Sequence, residues 1–458
     1  MIRLFNVYYP TRTLVHLVCE ALLACGSFLI ATTYLIGSDN SYIELFYEHG
    51  LLKITAITIL TMLFSYYFDL YEPQRISQRW EAYFRLLLVL SALSFVLAGT
   101  IFFFPQLDIG HNVLTAGVLI MTILLILWRR IDEWLTGLSL FRERVYVLGL
   151  GERASHVVEI LNVRRDAGMQ VVGWTGNTPN KVNIDDQAHD LRLLCRPRPD
   201  IDRVIVAMED RRGSMPIREL LDLRLRGVVI EDAVTLMERL LGRLPLEALS
   251  PSALIFTDGF KIKSPRQLVR RLVSLSVALV AVLICLPVIP LIVMAIRLSS
   301  PGPVLFKQTR VGLLGRRFTI YKFRTMRLDA EANGAVWATR DDPRTTLVGK
   351  FMRKTRLDEI PQLWNVLRGD MGFVGPRPER PEFVHWLSSE IPYYDLRHMI
   401  RPGLTGWAQV RYQYGATLEE TKRKLEFDLY YLKHLSLGLD LLILFETVKT
   451  VVLRRGAQ

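Results

Sequence analysis

The first third of the sequence contains four long apolar runs, and such runs restrict the chain to folds that a lipid bilayer can contain. Each run approaches the roughly 20 residues that a membrane-spanning helix requires. The first run lacks a convincing signal-peptide cleavage site and is followed by three more, which indicates a retained helix. The runs cover residues 14–36, 51–70, 86–104 and about 113–128. They predict a four-helix transmembrane domain over residues 1–135.

Charged residues between the runs predict the orientation of this domain. Basic residues precede the first run, occur in the second connection and follow the fourth run: Arg3, Arg12, Arg75, Arg79, Arg85, Arg129 and Arg130. The other two connections carry acidic residues: Asp39, Glu44, Glu48 and Asp108. By the positive-inside rule, the N-terminus and everything after Arg130 lie in the cytoplasm.

The composition agrees with a membrane protein that also has soluble parts. Half of the 458 residues are hydrophobic, and the formal net charge is +12. An excess of Lys and Arg suits nucleic acids, anionic lipids and phosphorylated substrates alike. The apolar runs and the lack of a nucleic-acid-binding motif argue against the first of these. The cysteines show no CxxC spacing and predict reduced, buried thiols: Cys19, Cys25, Cys195 and Cys285.

Beyond residue 143 the pattern changes to short apolar segments separated by turns. RVYVLGLGERASHVVEIL is typical of a strand, a glycine turn and a helix, and QVVGWTGN and DRVIVAMED are typical of further strands. These segments predict a Rossmann-like α/β cytoplasmic domain over residues 142–260. Gly149, Gly151 and Ala154 match the dinucleotide fingerprint only in part, and no acidic residue ends the QVVGW strand to hold a ribose. A structural or regulatory role is favoured, and cofactor binding stays the alternative.

A fifth apolar segment, residues 272–298, contains Pro287 and Pro290 well inside it. Proline removes a helix hydrogen bond and clashes with the preceding turn, so a bend is expected there. Basic residues flank the segment on both sides: Arg266, Arg270, Arg271, Arg297, Lys307, Arg310, Arg316 and Arg317. Both ends are therefore expected in the cytoplasm, which predicts a re-entrant helix that breaks near Pro287 and returns. A simple fifth span is the alternative.

Adjacent carboxylates, Asp358 and Glu359, occur in the segment RKTRLDEIPQLWNVLRGDMGFVGPRP, just before Pro361 and a predicted helix. Acids at a helix N-terminus often only cap free N–H groups. Here the acid pair follows Arg353, Lys354 and Arg356, which lie within a few residues. Carboxylates among cations supply a nucleophile, a ligand for a divalent ion and phosphate-binding groups, so the segment predicts phosphate chemistry.

Further cations flank the acid pair in the sequence. Lys322 and Arg324 lie on a predicted strand in YKFRTM, Arg377 is fixed between prolines in GPRP, and Arg401 opens RPGLTGW. A solvated face or contact with lipid headgroups is the alternative for these side chains. Gly403 and Gly406 could let the backbone approach a substrate or could only turn the chain, and the sequence DDPR at residues 341–344 predicts a turn.

These motifs, with KQTRVGLLGRRFTIYKFRTM and RPGLTGWAQVRY, resemble the catalytic domain of bacterial polyprenyl-phosphate sugar-1-phosphate transferases, the monotopic phosphoglycosyl transferases. The resemblance covers about residues 262–458. The N-terminal part resembles the larger, WbaP-like members, and RLFNVYYPTRTL and IFTDGF resemble the exopolysaccharide type. The family implies an α/β phosphoglycosyl transferase domain with a re-entrant membrane helix, in a multi-pass protein of the bacterial inner membrane.

The resemblance also implies a reaction. Asp358 would attack the β-phosphate of a UDP-sugar, release UMP and form a phosphosugar-aspartyl intermediate that undecaprenyl phosphate resolves, and Glu359 would bind Mg²⁺, or Mn²⁺ as an alternative. The two carboxylates could exchange these duties. Substrate binding would fall to Lys322, Arg324, Arg356, Arg377 and Arg401. UDP-glucose and UDP-galactose are candidate donors, the product would begin exopolysaccharide, capsule or O-antigen synthesis, and a homodimer is compatible with the sequence.

Two other functions are open to a chain of this kind. A membrane-tethered nucleotide-sugar epimerase or dehydratase would need a Tyr/Lys pair, but no tyrosine occurs between Tyr146 and Tyr321. A non-catalytic scaffold for glycan assembly would not need the intact acids and arginines. The last segment, residues 427–455, fits either an interfacial amphipathic helix, with Tyr430 and Tyr431 at the headgroup level, or a core helix.

Overall fold

The structure is a computed structural model that describes residues 2–72, 79–137, 142–175, 200–208, 215–249, 251–256, 259–260, 264–327, 342–412 and 417–453. Arg75, Cys195 and Asp341, which the sequence analysis names, lie outside these described residues. The chain divides into two compact units. The first unit comprises Met1–Ile2 and Tyr9–Ala233, and the second comprises Arg3–Tyr8 and Val234–Gln458. Two short strands, β1 (Ile2–Leu4) and β2 (Val7–Tyr9), open the chain.

The apolar runs of the first unit form helices, as predicted. Each of the four long helices is apolar enough to cross a membrane by length and composition. They are α1 (Thr11–Ile36), α3 (Gly50–Tyr67), α4 (Arg79–Phe103) and α5 (His111–Gly137). A short helix, α2 (Ser38–Phe46), lies in what the sequence analysis treats only as a connection. The last helix also continues well past the predicted end at residue 128.

Helices α1 and α5 are joined by a buried ionic cluster that the sequence analysis did not predict. Glu20 lies in the middle of an apolar run and is 2% exposed. Its carboxylate accepts hydrogen bonds from Arg129 at 2.8 Å and from the Tyr71 hydroxyl at 2.7 Å, and His16 lies 2.9 Å away. A buried charge is tolerated only when it is paired, so these partners explain how an acid can occupy this helix.

A parallel α/β sheet follows the helices of the first unit. Its strands are β3 (Glu143–Leu148), β4 (Met169–Trp174), β5 (Arg203–Val206) and β6 (Val229–Asp232), in the order β4-β3-β5-β6. Helices α6 (Glu152–Val163) and α7 (Ile217–Leu225) complete this region. Gly149 adopts φ +150°, and a Cβ there would lie 2.7 Å from the Ala207 backbone, so only glycine fits this turn. The predicted α/β region is confirmed.

The second unit also contains two helices that precede residue 260. They are α8 (Ala233–Leu241) and α9 (Pro251–Phe256). Within the unit, Arg243 forms an ion pair with Glu426 at 2.5 Å, and Glu238 accepts a hydrogen bond from Lys433 at 2.7 Å. Residues 234–249 therefore pack with the C-terminal part of the chain, which periodicity along the sequence does not reveal.

The fifth apolar segment of the sequence is helical but interrupted. Helix α10 (Ser264–Cys285) ends in a 3-10 turn, Leu286–Val288, and α11 (Ile289–Ser299) follows. Pro287 lies in the 3-10 turn and Pro290 in the first turn of α11. Gln267–Ser299 is long and apolar enough to cross a membrane. The change of helix type falls where the prolines predict it, and the re-entrant path itself stays a prediction.

The rest of the second unit, which contains the acid pair, consists of four strands and six α-helices in its described part. Its strands are β7 (Leu305–Val311), β8 (Arg317–Phe323), β9 (Gly372–Val374) and β10 (Gly403–Thr405). Strands β7 and β8 are antiparallel, whereas β9 and β10 are parallel. Its helices are α12 (Leu347–Thr355), α13 (Gln362–Arg368), α14 (Pro381–Glu390), α15 (Trp407–Arg411), α16 (Leu418–Lys433) and α17 (Leu437–Val452).

Helices α16 and α17 belong to the core of the second unit. Tyr430 and Tyr431 are 0% and 1% exposed, and the Tyr431 hydroxyl donates to Asp440 at 2.6 Å. A tyrosine at the headgroup level would keep its hydroxyl in water, so the core-helix alternative describes these two residues and the interfacial one does not.

Candidate active site

The acid pair lies in a short 3-10 turn, Leu357–Glu359, between two helices. The N-terminus of helix α12 is capped by Thr346, whose side chain accepts a hydrogen bond from the Gly349 amide, and Arg356 follows the last residue of the helix. Arg356 adopts a left-handed conformation with φ 60°, which is unusual for a residue other than glycine and costs on the order of 1 kcal/mol. The next helix, α13, starts after Pro361. The backbone is therefore turned sharply where the two acids occur, and strain of this kind concentrates at functional sites.

Glu359 is held by three cations. Its Oε1 atom lies 2.6 Å from an Arg377 nitrogen, 3.5 Å from Lys322 Nζ and 3.7 Å from an Arg356 nitrogen. Burial alone would raise the pKa of Glu359, but the positive charges of Arg377, Lys322 and Arg356 outweigh it and hold the pKa well below the usual range. Glu359 is therefore ionised at neutral pH.

Asp358 is the other member of the acid pair, and its environment differs. Its side chain is buried, and among the described residues it makes no hydrogen bond and no ion pair within 4.0 Å. Burial raises the pKa of Asp358, opposed by Lys322 and reinforced by the negative charge of Glu359. Burial also lowers the pKa of Lys322. A desolvated carboxylate without a hydrogen-bond donor is more reactive towards an electrophile than one that is fully paired.

Asn365 fixes the helix after the acid pair to the strand that carries Lys322. Its side chain is fully buried, donates to the Thr319 carbonyl at 2.7 Å and accepts from the Tyr321 amide at 3.2 Å. The sequence analysis missed this residue. A polar amide inside the apolar run LWNVL was the signal, because a buried amide must satisfy its hydrogen bonds.

The segment GPRP, which carries Arg377, is held through its backbone. Four consecutive carbonyl oxygens, those of residues 376–379, each accept a hydrogen bond from elsewhere in the second unit. The donors are Gly403 N to Pro376 at 2.9 Å, Arg397 to Arg377 at 3.0 Å, Arg310 to Pro378 at 3.0 Å and Val311 N to Glu379 at 2.9 Å. Fixing the backbone on both sides of Arg377 limits where its guanidinium can reach.

Gly403 and Gly406 serve this same segment. A Cβ on Gly403 would lie 2.1 Å from the Gly375 amide nitrogen, and one on Gly406 would lie 2.2 Å from the Gly375 carbonyl oxygen. The two glycines therefore allow β10 to cross Gly375 at backbone contact distance. The close approach that the sequence analysis considered is made to the chain itself.

Arg397 and Asp428 were also missed from the sequence. Arg397 is buried, donates to the Arg377 carbonyl and the Tyr394 hydroxyl, and forms an ion pair with Asp428 at 2.9 Å. Asp428 lies on α16, far along the chain from GPRP, so no local motif indicates the pairing. These two residues orient the segment that presents Arg377.

The structure brings Lys322, Arg356 and Arg377 to the acid pair but places two other predicted substrate-binding residues elsewhere. Arg324 is buried and donates to the carbonyls of Ser300 and Pro301, both at 2.7 Å. Arg401 lines a separate cavity. Substrate contact by Arg324 or Arg401 stays a prediction, and the observed hydrogen bonds of Arg324 support the chain turn after α11.

Two features near α12 have local roles. Arg353 donates to the Thr325 hydroxyl at 3.0 Å. Asp342 accepts hydrogen bonds from the Arg344 side chain and amide, and the bond from that side chain holds the pKa of Asp342 below its usual range. The described part of the sequence DDPR is thus a closed turn, as its composition predicts.

The acid pair was also considered as a metal site. Among the described residues, no group of three or more His, Cys, Asp or Glu side chains could hold a metal ion. A hard cation such as Mg²⁺, however, commonly needs only one or two carboxylates when substrate phosphates supply the other oxygens. As carboxylates, Asp358 and Glu359 are compatible with a Mg²⁺ or Mn²⁺ ion that binds together with a diphosphate, and metal binding stays a prediction.

The fold and this site define a class of protein, namely a membrane protein with adjacent carboxylates among cations in its second unit. The sequence profile of the bacterial sugar transferase family matches residues 265–454. The chain is 32% identical over 423 residues to the UDP-glucose:undecaprenyl-phosphate glucose-1-phosphate transferase of Escherichia coli (strain K12), covering 90% of each chain. The chain therefore belongs to the family of polyprenyl-phosphate sugar-1-phosphate transferases, as its motifs predict.

Two further relatives match a smaller part of their own length. An Aeromonas hydrophila UDP-N-acetylgalactosamine-undecaprenyl-phosphate N-acetylgalactosaminephosphotransferase is 44% identical over 222 residues, 48% of this chain and 52% of the relative. An undecaprenyl-phosphate glucose phosphotransferase of Komagataeibacter xylinus is 34% identical over 328 residues, 69% of this chain and 60% of the relative. The chain thus spans about half to three fifths of the length of these two relatives.

Proposed function

We propose that this protein transfers a sugar 1-phosphate from a UDP-sugar to undecaprenyl phosphate and releases UMP. The observation that carries the proposal is the asymmetry of the acid pair. Glu359 is held by three cations, whereas Asp358 is buried and has no hydrogen-bond donor among the described residues. The names of three relatives support the acceptor, undecaprenyl phosphate, with glucose or N-acetylgalactosamine as the sugar.

The reaction has two displacements at one phosphorus atom. An Asp358 oxygen attacks the β-phosphorus of the UDP-sugar, and the bond from that phosphorus to the bridging oxygen breaks, so that UMP leaves and a phosphosugar-aspartyl intermediate forms. An oxygen of undecaprenyl phosphate then attacks the same phosphorus and releases the Asp358 carboxylate. The product carries the sugar on a diphosphate and would begin exopolysaccharide, capsule or O-antigen synthesis.

The cations around Glu359 are suited to bind the diphosphate. Arg377 and Arg356 have planar forks of N–H donors that match phosphate oxygens, and Lys322 adds a point charge. Glu359, with Asp358, would hold the Mg²⁺ ion that neutralises the diphosphate and leaves its phosphorus open to an anionic nucleophile. The fixed backbone of GPRP keeps Arg377 in place for both displacements.

We also propose that the α10–α11 segment is re-entrant, with the N-terminus and the acid pair on the cytoplasmic face of the inner membrane. Ala278 of α10 packs into one buried cluster, and Ile292 and Ile296 of α11 pack into another. Ile360, two residues after Asp358, packs against both clusters. In a straight helix Ala278 and Ile296 would be about 27 Å apart. Helices α10 and α11 therefore both pack near Ile360. This supports a path in which the segment enters the membrane and returns to the same face.

Trapping the covalent intermediate tests the proposed reaction. The protein, purified in detergent and free of undecaprenyl phosphate, receives Mg²⁺ and a panel of UDP-sugars but no lipid acceptor. We expect a burst of UMP close to one equivalent per protein, together with a phosphosugar on the peptide that contains Asp358, detected by mass spectrometry. The Asp358→Asn variant should give neither, whereas Asp395→Asn, which changes an exposed aspartate of the same unit, should give both.

The alternative outcomes separate the competing functions. UMP release without a phosphosugar on the protein would indicate direct transfer in place of the two-step reaction. No UMP from any donor, with the protein folded and undecaprenyl phosphate then added, would reject the transferase function and favour the non-catalytic scaffold.

A further inference from the structure

A second cationic site occurs at the start of helix α10. It is a cavity of about 60 Å³, several times the volume that one water molecule requires. None of the described residues that line it is acidic; they are Gln267, Arg270, Arg271, Ser274, Leu313, Gly372, Val374, Ile400 and Arg401. Gln267, Arg271 and Ser274 are spaced by four and three residues, so they share one face of α10.

The two arginines of α10 differ in how their charges are balanced. Arg270 is neutralised, because it forms an ion pair with Asp440 at 2.5 Å and donates to Tyr431. Arg271 instead donates to the main-chain carbonyls of Val366 at 2.6 Å and Leu367 at 2.9 Å. Carbonyl groups satisfy its hydrogen bonds without cancelling its charge, so Arg271 contributes a net positive charge to the cavity.

Arg401 adds a second positive charge beside Arg271. Its guanidinium is exposed and close enough to act electrostatically on Arg271, and within the described part of the chain its side chain makes no hydrogen bond or ion pair. The backbone around it is fixed, because the Gly372 amide donates to Pro402 at 2.8 Å and the Arg401 carbonyl lies against Gly375. Two like charges held together in this way favour an anion between them.

The surroundings of the cavity indicate which anion. Leu268, Val269 and Leu272, on the neighbouring face of α10, are 62%, 46% and 56% exposed. They begin the apolar segment that is suited to the membrane. Cations that border exposed apolar side chains at the start of a membrane helix match a ligand that carries a phosphate on a hydrocarbon chain.

We propose that this cavity binds the phosphate of a membrane lipid between Arg401 and Arg271, with Gln267 and Ser274 as additional polar contacts. Two lipids carry that chemistry, the undecaprenyl phosphate acceptor and an anionic phospholipid. The first source rests on the proposed function. It is favoured by position, because Arg401 contacts Gly375 and the GPRP segment leads from Gly375 to Arg377 and the acid pair.

A binding measurement tests the site without turnover. Asp358→Asn protein, purified in detergent, is titrated with undecaprenyl phosphate and separately with phosphatidylglycerol, and bound lipid is measured by native mass spectrometry. Adding Arg401→Gln should raise the Kd for one of these lipids about tenfold, as expected for loss of a charge-assisted contact. Arg401→Lys should restore most of the affinity. Arg368→Gln, which removes an exposed arginine outside the cavity, should not change it.

Each outcome decides between the sources or rejects the site. Weaker binding of undecaprenyl phosphate alone assigns the cavity to the acceptor, and weaker binding of phosphatidylglycerol alone assigns it to a membrane phospholipid. If each lipid binds the Arg401→Gln variant with the same Kd as the Arg401→Lys variant, the charge at residue 401 has no effect on binding and the proposal is overturned. Arg271 is a less useful target, because its bonds to α13 make it part of the packing.

Kinetics on the Asp358-containing protein separate this proposal from the transferase function. If the acceptor occupies the cavity, Arg401→Gln should raise KM for undecaprenyl phosphate about tenfold, with a much smaller effect on the burst of UMP measured without acceptor. An equal loss in the burst would move Arg401 to the donor site instead. Absence of UMP from the unsubstituted protein would reject the transferase function but leave the lipid-binding result interpretable.

Discussion

The first and second units each bury a carboxylate among cations, but the two clusters are arranged for different purposes. Glu20 contacts Arg129, His16 and Tyr71, so its charge and its hydrogen bonds are satisfied. Asp358 is nearly as buried, yet the nearby cations contact its neighbour Glu359 instead. A fully paired buried acid holds helices together, whereas an unpaired one is kept at a cost in stability and is available for chemistry.

The largest effect is expected at Asp358, in activity. Replacing it with Asn keeps the shape but removes the negative oxygen that attacks phosphorus, so kcat for lipid-linked sugar formation should fall at least about 1000-fold. The measurement is steady-state UMP release with undecaprenyl phosphate and the preferred donor. The matched Asp395→Asn variant should stay within about twofold of the unsubstituted protein. A loss of less than tenfold for Asp358→Asn would transfer the nucleophile's role to Glu359.

The converse effect is expected at Glu20, in stability. Glu20→Gln removes the negative charge that Arg129 requires, and an uncompensated buried charge costs about 3 kcal/mol. The unfolding temperature of detergent-purified protein should therefore fall clearly, while activity per folded molecule is retained. The control is Glu48→Gln, at an exposed position of the same unit. An unchanged unfolding temperature would show that the Glu20 cluster is not a structural support.

Arg377 provides a smaller and more specific test. Arg377→Lys keeps the positive charge beside Glu359 but loses the planar fork, so kcat/KM for the UDP-sugar should fall about tenfold. The corresponding change at an exposed site, Arg368→Lys, should have no such effect. If Arg377→Lys is fully active, charge alone explains the role of Arg377, and the fixed GPRP backbone has another purpose.

Local sequence patterns predicted the features of this protein that depend on neighbouring residues. Apolar length predicted the four long helices of the first unit, and alternating segments predicted its α/β region. Motif order predicted the family. The acid pair and Arg356 are adjacent in sequence, so their proximity needed no knowledge of the fold. Helix ends were less accurate, because α5 continues through charged residues that the apolar pattern excludes.

Features that depend on distant contacts were not predictable in this way. Arg397 pairs with Asp428 on another helix, and Glu20 pairs with Arg129 from the far end of the helical region. Arg324 has the residue type and the motif context of a phosphate ligand. Its guanidinium nevertheless donates hydrogen bonds to the carbonyl oxygens of Ser300 and Pro301. Only the packed structure shows which partner each buried polar group bonds to.

The smallest expected effect is again at Asp358, and its sign is opposite to the one expected for Glu20→Gln. Burial raises the pKa of Asp358 above its unfolded value, so the ionised side chain destabilises the folded protein at neutral pH. Asp358→Asn removes that cost and should increase the free energy of unfolding by about 1 kcal/mol. The gain should be complete above the raised pKa and should disappear as the pH falls towards the pKa of an unfolded aspartate. Thermal unfolding of both proteins between neutral and acidic pH measures it, with Asp395→Asn as the control. A lower unfolding temperature for Asp358→Asn at neutral pH would mean that Asp358 is paired like Glu20, and the contrast between the two clusters would fail.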